Sequence, residues 1–416
     1  MATATGQARP QEPQRARAGM FVALRVRDYP YLLVSGWLWN MCRWASGFLG
    51  AYLANRLSDS ARLVQLTGVA LWVPLLFGGV LGGMISDRFD RRRTVVTQFL
   101  VLIPLAAAMG VAAITEVLRL WMVYPFLVVV GIGWVFDMTS RRAIVYDLVG
   151  AERLDNAMAL ESLSSASGLA IGTLIGGAAI QGVGVGAAYL CLSVLATLAL
   201  LSFLQVPRVE RTTLRTTEAP LQAFLAGFRL LRTERALVSV LGVTAVVNFF
   251  YFSFSPLVQV IASDFGVAAF LTGLLAAMLG VGMMVGSATV ARQQPRRRGL
   301  VYVTGATLAM VVLTGFALSP FYAGSMACLL VSATGMGLFG STQGTLVMTS
   351  VGPELRGRAL GLLSMAIGTL PLGMIALGEL AEIIGARWAI VTSAGVGLAT
   401  LGLSLLWRPD VLRLTS

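Results

Sequence analysis

Twelve apolar runs follow one another between residues 30 and 407, separated by polar turns that carry nearly all the arginines on alternate turns. A run of about 20 apolar residues is long enough to cross the ~30 Å hydrocarbon core of a bilayer as a helix. The runs lie near 30–54, 63–86, 94–115, 120–143, 156–182, 185–206, 236–262, 267–290, 300–319, 321–349, 357–384 and 386–407. An all-α membrane protein with 12 transmembrane helices is therefore expected. A chain that is 57% hydrophobic and 12% charged, with mean hydropathy +0.80, is not a soluble globule.

The charges then orient the spans. All 31 basic residues are arginine, and 26 of them fall on one set of turns: Arg9 to Arg27, Arg88 to Arg93, Arg141 to Arg153, Arg208 to Arg235, Arg292 to Arg298, Arg356 with Arg358, and Arg408 with Arg413. Arg56, Arg62, Arg119 and Arg387 fall on the other. The positive-inside rule places the first set, both termini and the central loop in the cytoplasm of a multi-pass cell-membrane protein. The net charge of +12 thus serves topology and contact with anionic lipids, not nucleic acid. The expected segments are a cytoplasmic tail at 1–28, membrane regions at 29–206 and 236–408, a cytoplasmic linker at 207–235 and a short tail at 409–416. Within the linker, Leu221, Phe224, Leu225, Phe228 and Leu231 recur at helical spacing, as in a helix lying on the inner leaflet.

With no histidine, a histidine relay, a histidine metal site and a serine-histidine triad are all excluded. Cys42, Cys191 and Cys328 are isolated in apolar runs and read as small core residues. Neither an enzyme nor a cofactor is expected, and a non-transporting sensor would need an output domain larger than any soluble segment here.

One turn is denser than the rest. Gly83-Met-Ile-Ser-Asp-Arg-Phe-Asp-Arg-Arg-Arg93 holds two acids and four arginines between two spans. Glycine permits close helix approach, an aspartate accepts from amides at a helix start, and arginines stay charged at the headgroups. The same arginines would also satisfy the positive-inside rule with no other role. The pattern resembles the loop Gly-x-x-x-Asp-Arg-x-Gly-Arg-Arg of the major facilitator superfamily of transporters, with Gly83, Asp87, Arg88, Arg91 and Arg92 matching. Asp90 stands where glycine is usual, which is similar to the branch containing the enterobactin exporter and related multidrug exporters. The resemblance implies two pseudo-symmetric six-helix bundles, and a cytoplasmic gate in which Asp137 meets Arg141 one turn away, or Arg91 and Arg92.

A repeat agrees with two bundles. Val149 to Leu160 matches Val351 to Leu362 at an offset of 202, and Gly176 falls on Gly378. Gly286 with Arg292 and Arg296 to Arg298 echoes the dense turn, although Ala291 replaces its aspartate. Gly168, Gly172, Gly176 and Gly177 resemble the family's antiporter motif, with Thr173 where that motif has proline; the same glycines would equally make a helix-packing face.

Arg43 stands out in the first span. About 13 residues of helix at ~1.5 Å each place it ~20 Å from the cytoplasmic edge, where an ionised arginine must meet water, an acid or a ligand. Asn40, Arg43 and Gly47 share a face. By the same measure Asp137 and Glu161 lie low, Glu379 and Glu382 lie near the outer rim, and none is level with Arg43. Three readings stay open: a permanent ion pair with Glu379 or Asp137, a cavity arginine meeting an anionic or carbonyl-rich substrate, or snorkelling to the headgroups. Thr244, Asn248, Tyr251, Ser255 and Gln259 form a polar stripe on the seventh span, and Gln343 lies among hydroxyls on the tenth. With Trp44 and Trp134 as aromatic walls, Asn40, Arg43, Asn248, Tyr251 and Gln343 are the expected cavity residues, a setting suited to amphipathic small molecules. The resemblance implies a monomeric secondary transporter, an exporter by alternating access, with Asp137 or Glu379 as the proton site if protons are coupled. A facilitator or lipid-type translocator of anionic molecules through Arg43 is the alternative.

Overall fold

The computed structural model describes residues 22–88, 90–207, 230–352, 355–407 and 409–414, with the backbone alone at 77–88, 151, 155 and 413. A 3-10 turn at Val22–Arg25 leads into α1 (Tyr29–Leu57), α2 (Ala61–Arg88), α3 (Arg91–Ile114), α4 (Leu120–Val149) and α5 (Leu154–Leu204). After the 208–229 segment come α6 (Arg235–Phe250), a 3-10 stretch (Phe252–Leu257), α7 (Val258–Asp264), α8 (Ala269–Gln293) and α9 (Arg298–Leu318). The chain closes with α10 (Tyr322–Thr349), α11 (Arg356–Ile367), α12 (Leu370–Ile384), α13 (Ala386–Trp407) and the single turn α14 (Asp410–Arg413). The expected inner-leaflet helix falls on residues 208–229 up to its last turn, and of Gly83, Asp87 and Arg88 only the backbone, in α2, is described.

Among the described residues nine helical stretches are long and apolar enough to cross a membrane, and α2 adds a shorter apolar stretch, Ala61–Leu76. One of the nine is α5, a path of 51 residues bent at Gly184, whose φ of 85° suits glycine. The runs expected at 156–182 and 185–206 thus meet with no loop between them. Two other expected spans are broken. Pro256 has no N–H to offer, and around it 236–262 becomes α6, the 3-10 stretch and α7. The 357–384 run breaks at Gly368 and Thr369, with Pro371 in the first turn of α12, where its missing N–H leaves no gap. Pro74, Pro104 and Pro125 sit inside α2, α3 and α4.

Asp90 explains its departure from glycine: its side chain accepts from the Arg93 N–H at 3.0 Å and caps α3. Of the cysteines, Cys42 is buried with its thiol toward the Leu192 carbonyl, but Cys191 is exposed, contrary to its reading as a core residue. A lipid-facing surface is as apolar as a core, so an apolar run does not say which side of a helix is covered.

Helices α1 to α5 pack mainly on one another, α1 against α5 and α3 against α5, and α8 and α9 both pack on α10. Two seams join the parts of the chain before and after 208–229: α5 with α8, and α2 with α12. They obey the 202-residue repeat, for Gly176 and Gly177 lie where α5 meets α1 and α8, and Gly378 lies against Arg62 and Gln65 of α2. Small residues bring backbones together at these crossings, which is how helices associate where lipid removes the hydrophobic drive.

Candidate functional site

Arg43 is 2% exposed, so it does not snorkel to the headgroups. Its guanidinium carbon lies 4.2 Å from the ring centre of Trp44 and 4.4 Å from that of Trp134. Trp72 of α2 extends the aromatic wall, edge-on to Trp134 at 4.8 Å and 6.1 Å from Trp44. The sequence pointed to Trp44 and Trp134; Trp72 carries no local signal, since only the packing of α2 on α4 brings it there. Arg43 Nη2 donates to Asn40 Oδ1 at 3.5 Å, one turn back along α1. The expected ion pair with Glu379 or Asp137 is absent: among the described residues no carboxylate is within 4.0 Å of this guanidinium. Stacking on electron-rich indole faces takes the place of a counter-charge.

Asp137 does bear electrostatically on Arg43, although their helix positions differ in depth. A helical side chain leans toward its N-terminus, so the long Arg43 stem brings the charge below its own Cα. The bonds of Asp137 go elsewhere. Arg141 donates to it through Nε at 3.0 Å and Nη2 at 2.7 Å, and Gln98 Nε2 donates at 3.1 Å. Arg141 also donates through Nη1 to the Leu32 carbonyl, and its stem crosses α1 at Gly36, where no side chain stands in its way. Glu161 is within electrostatic reach of Arg141, and its Oε1 is buried without a hydrogen-bond partner among the described residues.

The expected meeting of Asp137 with Arg91 and Arg92 does not occur. Arg91 Nη1 pairs at 2.6 Å with Asp147, a residue sequence reasoning passed over, and Arg92 donates to the Val206 and Leu204 carbonyls at the end of α5. Asp147 lies ten residues beyond Asp137 on the same helix, further along toward the dense turn. That spacing was the available signal.

The expected stripe on the seventh span is divided by the 3-10 stretch. Tyr251 is 1% exposed and bonded to Ser332 Oγ at 2.9 Å, so it belongs to the packing of the later helices and not to an open wall. Asn248 donates to the Thr244 carbonyl at 2.9 Å. Thr244 Oγ1 meets Tyr302 OH at 2.7 Å and accepts from Gln343 Nε2 at 3.1 Å, which links α6, α9 and α10.

Glu379 sits at the opposite pole from Arg91, half-exposed, 3.8 Å from Arg62. Glu382 accepts from Ser60 Oγ at 3.1 Å and from the Arg62 N–H at 3.2 Å, so a carboxylate of α12 caps the start of α2. Phe270 N donates to Gln181, Gln65 Nε2 to the Ser253 carbonyl and Gln259 Nε2 to the Phe48 carbonyl. These bonds join the chain before 208 to the chain after 229 at or toward this one pole. A cleft of about 310 Å³ lies there between α2 and α12, edged by Arg62, Gln65, Met374 and Glu379.

The motif glycines are packing positions. A Cβ on Gly168 would stand 2.6 Å from Asn40 Cβ, one on Gly172 would stand 2.6 Å from the Met41 carbonyl, and Gly177 abuts Ala269 and Gly273 of α8. Thr173 back-bonds to Leu169 at 2.9 Å, and the helix runs on where the motif has proline. Gly172→Ala is expected to lower stability by about 1–3 kcal/mol, measured by thermal unfolding, since backbone and not a pliant side chain blocks the new methyl. An unchanged midpoint would show that α1 and α5 are not so closely held.

A bundle of membrane-crossing helices with buried charges and seams of small residues defines a polytopic membrane protein. The chain belongs to the Major Facilitator Superfamily, whose family model matches residues 32–371. It is similar to the enterobactin exporter EntS of Shigella flexneri, 26% identical over 357 residues and covering 82% of this chain and 81% of that one. EntS of Salmonella typhi is 26% identical over 361 residues, covering 82% of each. The fold is similar to that of a bacterial homologue of the human lysosomal transporter Spinster in an inward-facing, unoccupied conformation, with TM-score 0.66, 17% identity and coverage of 93% and 96%. A POT family transporter in complex with 5-aminolevulinic acid gives TM-score 0.74 at 12% identity, covering 94% and 98%.

Proposed function

We propose that this chain is a twelve-helix secondary transporter that exports small amphipathic molecules by alternating access, and that 29–206 and 236–408 are its two six-helix bundles. Breaking α5 at Gly184, and joining α6 to α7 and α11 to α12, gives six spans on each side of 208–229. The observation that carries the mechanism is that, among the described residues, the hydrogen bonds between the two parts gather at or toward the Arg62 pole. The arginine distribution assigns that pole to the outer face of the cell membrane, with both termini cytoplasmic. The protein is then closed outward, and opening it requires Arg62, Ser60 and Gln181 to release their partners on the other bundle.

Export is the direction supported by relatives named as enterobactin exporters across about four-fifths of the chain. In this reading Asn40, Arg43, Trp44, Trp134, Asn248 and Gln343 face the path, Arg91, Arg92, Asp137 and Arg141 hold the cytoplasmic end, and the protein acts as a monomer. Proton coupling runs through Asp137, when it exchanges Arg141 for a proton, or through the half-exposed Glu379. The test is uptake by energised everted membrane vesicles. Vesicles holding the protein are expected to accumulate radiolabelled enterobactin or chloramphenicol several-fold above vesicles without it; no excess of either would end the export reading.

A further inference from the structure

Buried cations in membrane proteins are matched by acids, carbonyls or ligands, and among the described residues Arg43 has no acid and a single long bond to an amide carbonyl. Its Nε and Nη1 are buried and without an acceptor, as is the indole Nε1 of Trp44 against which it stacks. Its remaining bond, to Asn40, is stretched to 3.5 Å. Every unpaired group in this cluster is a donor, so what the site lacks is an acceptor. Asp137 does not supply it here: it makes no ion pair with Arg43 within 4.0 Å, and its bonds go to Arg141 and Gln98.

The geometry narrows the acceptor further. The five N–H groups of a guanidinium lie in its plane, and the Arg43 guanidinium carbon stands over the rings of Trp44 and Trp134, so an acceptor for the unpaired Nε and Nη1 must meet them in that plane, beside the indoles. A carboxylate fits the edge of a guanidinium with two parallel hydrogen bonds. Trp44, Trp72, Trp134 and Asn40 are each only part-buried, so the cluster that holds Arg43 reaches a surface, and three of these four part-buried residues are aromatic. We propose that Arg43 is the recognition point for an aromatic carboxylate, held edge-on by the guanidinium with its ring against the indoles. The proposal rests on the transporter reading and names the substrate class of the same chamber.

Three probes that share one ring system and differ in charge test it: 1-naphthoate, 1-naphthamide and 1-naphthylmethylammonium, titrated against the full-length protein in lipid nanodiscs. The naphthoate is expected to bind at least ~10-fold more tightly than the amide and more tightly still than the amine, as charge-assisted hydrogen bonds in a desolvated site require. Inorganic phosphate at the same concentration is expected not to displace it. Arg43→Gln should weaken naphthoate ~10- to 100-fold and the amide far less, so that the preference for the anion collapses, while Arg43→Lys should keep part of the preference. Equal affinity for all three probes in the wild type, no binding of any, or displacement by phosphate would overturn the proposal, and these need no variant to fold. If enterobactin or chloramphenicol uptake persists while the probes are not distinguished, the anion site fails alone. Selective naphthoate binding without any uptake would leave the site standing and remove the export reading.

Discussion

Asp137→Asn is expected to lower the stability of the protein by about 3–5 kcal/mol, because it leaves Arg141 buried with its counter-charge gone. The side chains of the pair are only 8% and 4% exposed and lie one helical turn apart. Arg141 would keep the Leu32 carbonyl and the electrostatic reach of Glu161, neither of which replaces a hydrogen-bonded carboxylate. Thermal unfolding in nanodiscs should show a fall of several degrees in Tm. Asp137→Asn with Arg141→Met should recover most of it, since removing both charges is far less costly than removing one. A double variant as unstable as the single one would show that the aspartate acts through Gln98 and not through the arginine. At a temperature where the single variant stays folded, loss of pH-driven efflux with passive exchange retained would assign coupling to Asp137. Unchanged driven efflux would remove it from that role.

The second large effect concerns the Arg62 pole. In a protein lacking Cys42, Cys191 and Cys328, cysteines at Ser60 and Glu382 joined by a short bis-methanethiosulfonate reagent should tie the residue before α2 to α12, where Ser60 Oγ and the Glu382 carboxylate already meet at 3.1 Å. Transport is expected to fall at least ~10-fold, to the background of empty vesicles, and to return when a reductant cleaves the link, because alternating access requires this pole to separate. The unlinked double variant loses the cap on α2 and the contact with Ser60, effects of ~1 kcal/mol that do not stop transport. Full activity in the linked protein would mean that the path does not pass between these helices.

Most of the helical architecture was legible in the hydropathy, because a span must be apolar along its whole length and a turn need not be. The breaks were less so. Pro256 and Pro371 were visible, yet Pro74, Pro104 and Pro125 look the same in sequence and leave their helices whole. Arg43 was legible as an exception, since a charge in an apolar run demands an explanation. Its surroundings were not: depth counted along Cα atoms ignores how far an arginine reaches, and the Trp72 contribution depends on the packing of another helix. Tyr251 misled for a related reason, because even spacing projects a stripe only while the helix stays α, and a 3-10 stretch begins at the next residue. Asp147 and Gln98 find their partners on neighbouring helices 56 and 39 residues away in sequence, distances that no local pattern encodes.

At Gly184 a single residue does the work of a loop. The arm before it presses its glycines on α1 and α8, and the arm after it lies on α3 and ends where Arg92 grips the Leu204 and Val206 carbonyls. A joint so short has no slack. If transport tilts the first arm against α8, so short a joint is expected to carry its partner with it, at a point some 20 residues before the carbonyls that Arg92 holds. Residues inserted at 184 are then expected to uncouple the two arms.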